Sequence, residues 1–103
     1  MGRAQTLADV IAILREHEGF YREKGVTRLA VFGSMARGDA GPDSDVDLVI
    51  DLDPDAKFSL IDLGIVEDAS AEWLGRKTDM LTRRALRPRI AEEVHKDGVD
   101  VFR

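Results

Sequence analysis

The sequence predicts an α/β (α+β) fold, a small mixed β-sheet of about four strands with helices packed on it, in a single domain over residues 1–103. Three observations carry that expectation. Short apolar or alternating runs bounded by glycine or proline read as strands, and they are interleaved with segments of helical period. At 103 residues the chain can bury one core but not two. With 44% hydrophobic and 34% charged residues and only three prolines, its composition is that of a folded domain.

The elements follow in order. Leu7, Val10, Ile11 and Leu14 recur at i, i+3, i+4 and i+7, Thr6 can cap and Gly25 can stop the run, so residues 6 to 23 are expected as one amphipathic helix. Val26 to Phe32 contains the run LAVF and ends at Gly33, which reads as a buried strand. After a glycine-flanked turn, VDLVIDL at 46–52 alternates cleanly as a second strand that Pro54 ends. Residues 57 to 74 are expected as a helix apolar on two sides, with Phe58, Ile61, Ile65 and Ala69 on one face and Leu60, Leu63 and Leu74 roughly opposite. Such a helix needs two partners, and the second is either the N-terminal helix or another chain. Gly75 closes it, KTDML at 77–81 is the third strand, Pro88 opens a short helix that Gly98 ends, and VDVF at 99–102 is the last strand.

The bulk numbers exclude several classes. No apolar run approaches the roughly 20 residues of a membrane span, and MGRAQTLADV lacks a signal-peptide core, so a cytoplasmic location without membrane association is expected. The absence of cysteine rules out disulfides, thiolate metal sites and thiol nucleophiles. Net charge is −5, yet without Asp39, Asp43, Asp45, Asp47, Asp51, Asp53 and Asp55 it would be +2, so the acidity is local. Such a patch repels a phosphate backbone, and direct nucleic-acid binding is not expected.

Strand alternation puts Asp45, Asp47, Val49 and Asp51 on one face and Val46, Leu48, Ile50 and Leu52 on the core face. Asp45 and Asp47 then lie roughly 6.7 Å apart at the α-carbons. Two carboxylates so close repel unless a cation sits between them, and all-oxygen ligands point to magnesium. Asp79, ill suited to a strand, is the candidate third ligand if its strand lies beside the second. Gly33 and Ser34 follow the first strand in a strand-to-helix turn, where backbone N–H groups and a hydroxyl can receive phosphate. GSMARGD has Asp39 where a P-loop needs lysine, and DLDPDAKFSLID has Ala56 where a calcium loop needs glycine, so both readings fail. Asp51, Asp53 and Asp55 read mainly as a solvated strand exit. Arg83, Arg84, Arg87 and Arg89 form a basic cluster that reads first as a solvated face, with phosphates or a partner as the alternative; Trp73 reads as core rather than a base-stacking platform, and His17 and His95 carry no evident chemistry.

Gly33-Ser34, ten residues, then Asp45-Val46-Asp47 resembles the signature of the DNA polymerase β-like nucleotidyltransferase superfamily, and the short chain with GRKTDMLT around Asp79 is similar to its minimal nucleotidyltransferase branch. The resemblance implies the palm-like fold of that superfamily, two magnesium ions on Asp45, Asp47 and Asp79, and ATP as the nucleoside triphosphate held at Gly33 and Ser34. It also implies that Asp79 helps deprotonate the acceptor and that Ser44 braces the turn or bonds a phosphate. Arg37 is a candidate phosphate contact, with an ion pair to Asp39 or Asp43 as the plainer role. Many relatives carry a basic residue where Met35 stands, which implies weaker triphosphate binding here.

The function so implied is transfer of AMP from ATP to a hydroxyl, foremost a tyrosine of a partner toxin that is encoded by the adjoining gene and resembles the helical HEPN ribonucleases, with this chain as antitoxin. A small hydroxylated acceptor such as an aminoglycoside, and a non-catalytic module that occludes its toxin, are the alternatives.

Overall fold

The computed structural model describes residues 3–103. Helices α1 (Leu7–Arg15) and α2 (Glu18–Glu23) precede β1 (Val26–Phe32), α3 (Gly33–Arg37), β2 (Val46–Leu52) and α4 (Leu60–Leu74). Then come β3 (Thr78–Thr82), a 3-10 turn (Arg83–Ala85), α5 (Pro88–Asp97) and β4 (Val99–Phe102). The four strands form one mixed sheet in the order β3-β2-β1-β4. β1 runs antiparallel to β2 and to β4, whereas β2 and β3 are parallel, with α4 as the crossover that a parallel pair requires.

Both faces of the sheet are covered, which is why β1 reads as a nearly unbroken apolar run. Leu29, Val31, Val46, Leu48, Ile50, Met80 and Val101 point to the larger core, shared with Val10 and Leu14 of α1, Tyr21 of α2 and Val66 and Leu74 of α4. Ala30, Phe32 and Val49 point the other way and meet Val94 and Ile90 of α5. That second layer is short. It leaves Asp47, near the start of β2, and the edge strand β3 open on the α5 side.

Several local expectations hold. Thr6 and Asp9 form a reciprocal capping box at α1, and Ser59 with Asp62 form another at α4. Gly75 ends α4 at φ 66, and Pro88 occupies the first turn of α5. Others need correction. The helix expected over 6–23 breaks at Glu16 and His17, where His17 stacks flat on Trp73 with centroids 3.6 Å apart. The break turns α2 so that Tyr21 is buried and Phe20 sits edge-on to Trp73. The turn after β1 winds into a short helix, and α4 starts at Leu60 rather than at 57.

The phase of α4 also differs. Its buried stripe is Val66, Ser70 and Leu74, with Leu63 and Trp73 beside it, packed on α1 and the sheet. Leu60, Ile61 and Ile65 face outward. The polar Ser70 concealed that stripe from a reading by hydrophobicity. It is buried because its Oγ donates to the Val66 carbonyl at 2.7 Å and accepts from the buried Tyr21 hydroxyl. Burial raises the Tyr21 pKa to about 12, with the Ser70 bond acting weakly against it.

This arrangement predicts unequal effects for two small substitutions. Ser70→Ala strands the Tyr21 hydroxyl and is expected to cost about 1–3 kcal/mol, whereas Tyr21→Phe leaves Ser70 bonded to Val66 and costs under about 1.5 kcal/mol. Urea unfolding of the two variants checks the order.

Candidate active site

The register of three strands places the candidate residues in one row. Phe32 of β1 is opposite Asp47 of β2, and Asp47 is opposite Asp79 of β3. The conditional expectation that β3 lies beside β2 is therefore met, and the alternation of β2 is as read. Gly33 follows Phe32 at once, at φ 72, and a Cβ there would run into the Asp47 carboxylate. Only glycine allows α3 to start this close to Asp47. Ser34 is the next residue of α3.

Asp45 stands just before β2, where the Val46 N–H bonds the Lys77 carbonyl at 2.9 Å and begins the parallel pairing. Its carboxylate lies 3.8 Å from the Lys77 ammonium. Among the described residues no three acidic or histidine side chains are drawn into a ready-made ligand set. Asp45, Asp47 and Asp79 are gathered by backbone position, while the Asp45 carboxylate is turned toward Lys77.

A cleft of about 290 Å³ opens over this row, lined by Asp47, Glu67, Asp79, Leu81, Ile90 and Glu93 among others. Asp47 is half-buried beside it, and its pKa is pushed up to about 6. Desolvation is the main cause, followed by repulsion from Asp79, Asp45 and Glu93, with Arg37 acting in the opposite sense. A half-buried carboxylate destabilised by three like charges is an environment that a cation would relieve. With oxygen as the sole donor type, the residues fit a hard divalent ion.

The remaining candidates sort by their contacts. Ser44 braces the turn: its Oγ accepts from the Gly41 N–H at 2.9 Å. Arg37 is ion-paired with Asp39 at 3.3 Å, Glu93 at 3.2 Å and Asp97 at 3.7 Å, so the expected pair with Asp39 is present and tethers α3 to α5. Met35 is only 2% exposed and packs in the larger core. Its position faces away from the cleft, so the expectation that a missing cation here weakens triphosphate binding loses its geometric basis. Asp51 pairs with Arg83 at 2.7 Å, and Asp53 accepts from the Asp55 N–H, which keeps both out of the row.

Three participants were not found in the sequence. Glu93 carries no signal there, yet α5 places it on the cleft wall, where its charge acts on Asp47. Glu67 lines the cleft and accepts the Met80 N–H at 2.9 Å on the outer edge of β3. Arg76 is buried and donates to the carbonyls of Ala4, Gly41 and Ser44, the last two at 2.6 Å. It clamps the 41–44 loop that delivers Asp45. Its place directly before the Lys77–Asp79 segment was the one available signal.

Comparison with known proteins agrees with this fold. Residues 14–101 match the model of the nucleotidyltransferase domain family. The protein adenylyltransferase MntA of Thermococcus cleftensis is 35% identical over 97 residues, which cover 93% of this chain and 96% of that one. A solved structure described as a minimal nucleotidyltransferase superposes with a TM-score of 0.76 at 32% identity, covering 95% of this chain and 98% of the other. A complex of tri-AMPylated Shewanella oneidensis HEPN toxin with its MNT antitoxin gives a TM-score of 0.62 at 16% identity, over 86% of this chain and 70% of that one, a likeness of fold. The chain belongs to the nucleotidyltransferase domain family. Within it, these relatives place it in the minimal nucleotidyltransferase branch.

The raised Asp47 pKa yields a stability test. In the unfolded chain the group titrates at 3.8 and in the fold at about 6, so its ionisation costs stability above about pH 6 and nothing below 3.8. In metal-free buffer Asp47→Asn is therefore expected to stabilise the protein at pH 7.5 by about 1–2 kcal/mol, the shift being discounted for solvent screening, and to give no gain below pH 3.8. Unfolding followed at both pH values measures it, and an equal gain at both would contradict the assigned cause.

Proposed function

We propose that the protein transfers AMP from ATP, with magnesium, to a tyrosine hydroxyl of a cognate HEPN-type toxin, and so acts as an antitoxin. The observation that carries this reading is the row in which side-chain-free Gly33 abuts the carboxylate of Asp47, with Asp79 in register beside it. Adenylylation of a protein is supported by the name of the Thermococcus relative, and a HEPN-type acceptor by the Shewanella complex.

In this reading Asp45, Asp47 and Asp79 hold the ions. Bound magnesium would supply stabilisation of the charge that develops during transfer. Gly33 and Ser34, at the start of α3, receive the triphosphate on backbone N–H groups and a hydroxyl. The acceptor oxygen forms a bond to the α-phosphorus, the bond from that phosphorus to the β-phosphate oxygen breaks, and pyrophosphate leaves. The hydroxyl proton passes to the Asp79 carboxylate at the open edge of the cleft. Arg37, held between Asp39 and Glu93, steadies α3 and partly offsets the charge around Asp47. Ser44 and Arg76 keep the loop before Asp45 in place.

Incubation with ATP, magnesium and the product of the adjoining gene, followed by intact-mass measurement, tests the reading. One or more AMP increments on the partner are expected. A stable complex that shows no increment would replace transfer with occlusion. Asp47→Asn is expected to lower transfer by at least about 100-fold, beyond the 10–100-fold typical of an outer-shell partner. Gly33→Ala, which strains φ and presses on Asp47, is expected to lose transfer to a similar degree.

A further inference from the structure

One surface is left unused by this reading. Leu60 and Ile61 at the start of α4 are 86% and 76% exposed, and Ile65 and Leu81 are 45% and 40% exposed. Isolated exposed leucines are ordinary, but Leu60 and Leu81 line one concavity, and large aliphatic side chains gathered in this way mark an interaction surface. Between the first turn of α4 and β3 lies a groove of about 500 Å³, lined by Leu52, Phe58, Leu60, Leu63, Leu81 and Arg84 among others.

The groove is continuous with the active-site cleft. Leu81 lies two residues beyond Asp79 on the same face of β3, and it lines both concavities. Charge changes sign between them. The cleft carries Asp47, Glu67, Asp79 and Glu93, whereas the groove carries Arg84, which has no carboxylate at ion-pair distance among the described residues. A nucleotide held at Gly33 and Asp47 leaves an apolar groove beyond Leu81 unfilled.

We propose that this groove docks the protein acceptor, through an apolar segment neighbouring its hydroxyl-bearing residue and an acidic side chain set against Arg84. The inference rests on the reading of the cleft as a site of transfer to a protein. It adds the surface that selects the acceptor and the chemistry that this surface recognises.

The test compares the wild type with Leu60→Glu/Ile61→Glu, Arg84→Glu and Asp47→Asn. Complex formation with the product of the adjoining gene is measured by calorimetry, and AMP transfer by intact mass. Because Leu60 and Ile61 project into solvent, the double variant should melt like the wild type. It is expected to weaken the complex at least about 30-fold. The KM for the acceptor should rise, while kcat at saturating acceptor and the affinity for ATP stay unchanged. Arg84→Glu should weaken the complex about 5- to 10-fold. Asp47→Asn should bind as the wild type does and fail to transfer. Undiminished binding by the double variant overturns the proposal. So does absence of any wild-type complex, or a double variant whose only change is loss of self-association. A wild-type complex that breaks in the double variant but shows no AMP transfer upholds the docking surface and refutes the transfer reading, so the two fail separately.

Discussion

The parallel pairing of β2 with β3 sets two carboxylates side by side on adjacent strands, and the rest of the domain serves to keep that pairing in place. Left to themselves, Asp47 and Asp79 would oppose it, since like charges directly opposite across strands destabilise a sheet. The register wins because Val46, Leu48 and Ile50 of β2 and Met80 of β3 are buried on the opposite face. Each fully buried aliphatic side chain contributes about 1.5–3 kcal/mol, and a slip of one residue would turn that whole set outward. One strand face thus supplies the stability that the other face spends on chemistry.

A second constraint governs the approach to this pair. Asp45 lies outside the regular strand and depends on the 41–44 loop for its position. Arg76 holds that loop from below, with its guanidinium shared among three carbonyls, and the left-handed Gly75 next to it packs close to Arg3, 3.1 Å from where a Cβ would stand. A buried arginine bonded only to carbonyls orients the backbone without adding an acid to a region already rich in carboxylates. On the other side, Arg37 is divided among Asp39, Glu93 and Asp97 and links α3 to α5. Both walls of the site are therefore fixed by arginines that do not themselves belong to the carboxylate row.

What the sequence disclosed follows from where local rules apply. The alternation of β2, the glycine at the end of β1 and the capping residues of α1 and α4 are local signals, and each was legible. Asp79 was legible only through its misfit with strand propensity and through the family resemblance, because its partner lies more than thirty positions away in the chain. The break at His17 was not legible: it depends on Trp73, a tertiary contact that overrides a continuous helical pattern. The phase of α4 misled because Ser70 is buried through two hydrogen bonds rather than through hydrophobicity. Glu93 looks like any exposed helical acid until α5 is folded over the sheet, and Met35 looks like a lost cation until α3 turns it into the core.

β3 bears Asp79 and is also the last strand of the sheet, so its outer edge carries main-chain groups that another chain could pair with. Glu67 occupies the Met80 N–H on that edge with a charged side chain from the crossover helix. The open border beside the carboxylates is thus kept from extending as a strand ladder, while the same helix places its carboxylate on the cleft wall. Accessibility of the site to an acceptor and resistance of the sheet to unwanted growth are met by one residue, so the exposed margin of this small domain can remain both reachable and closed to polymerisation.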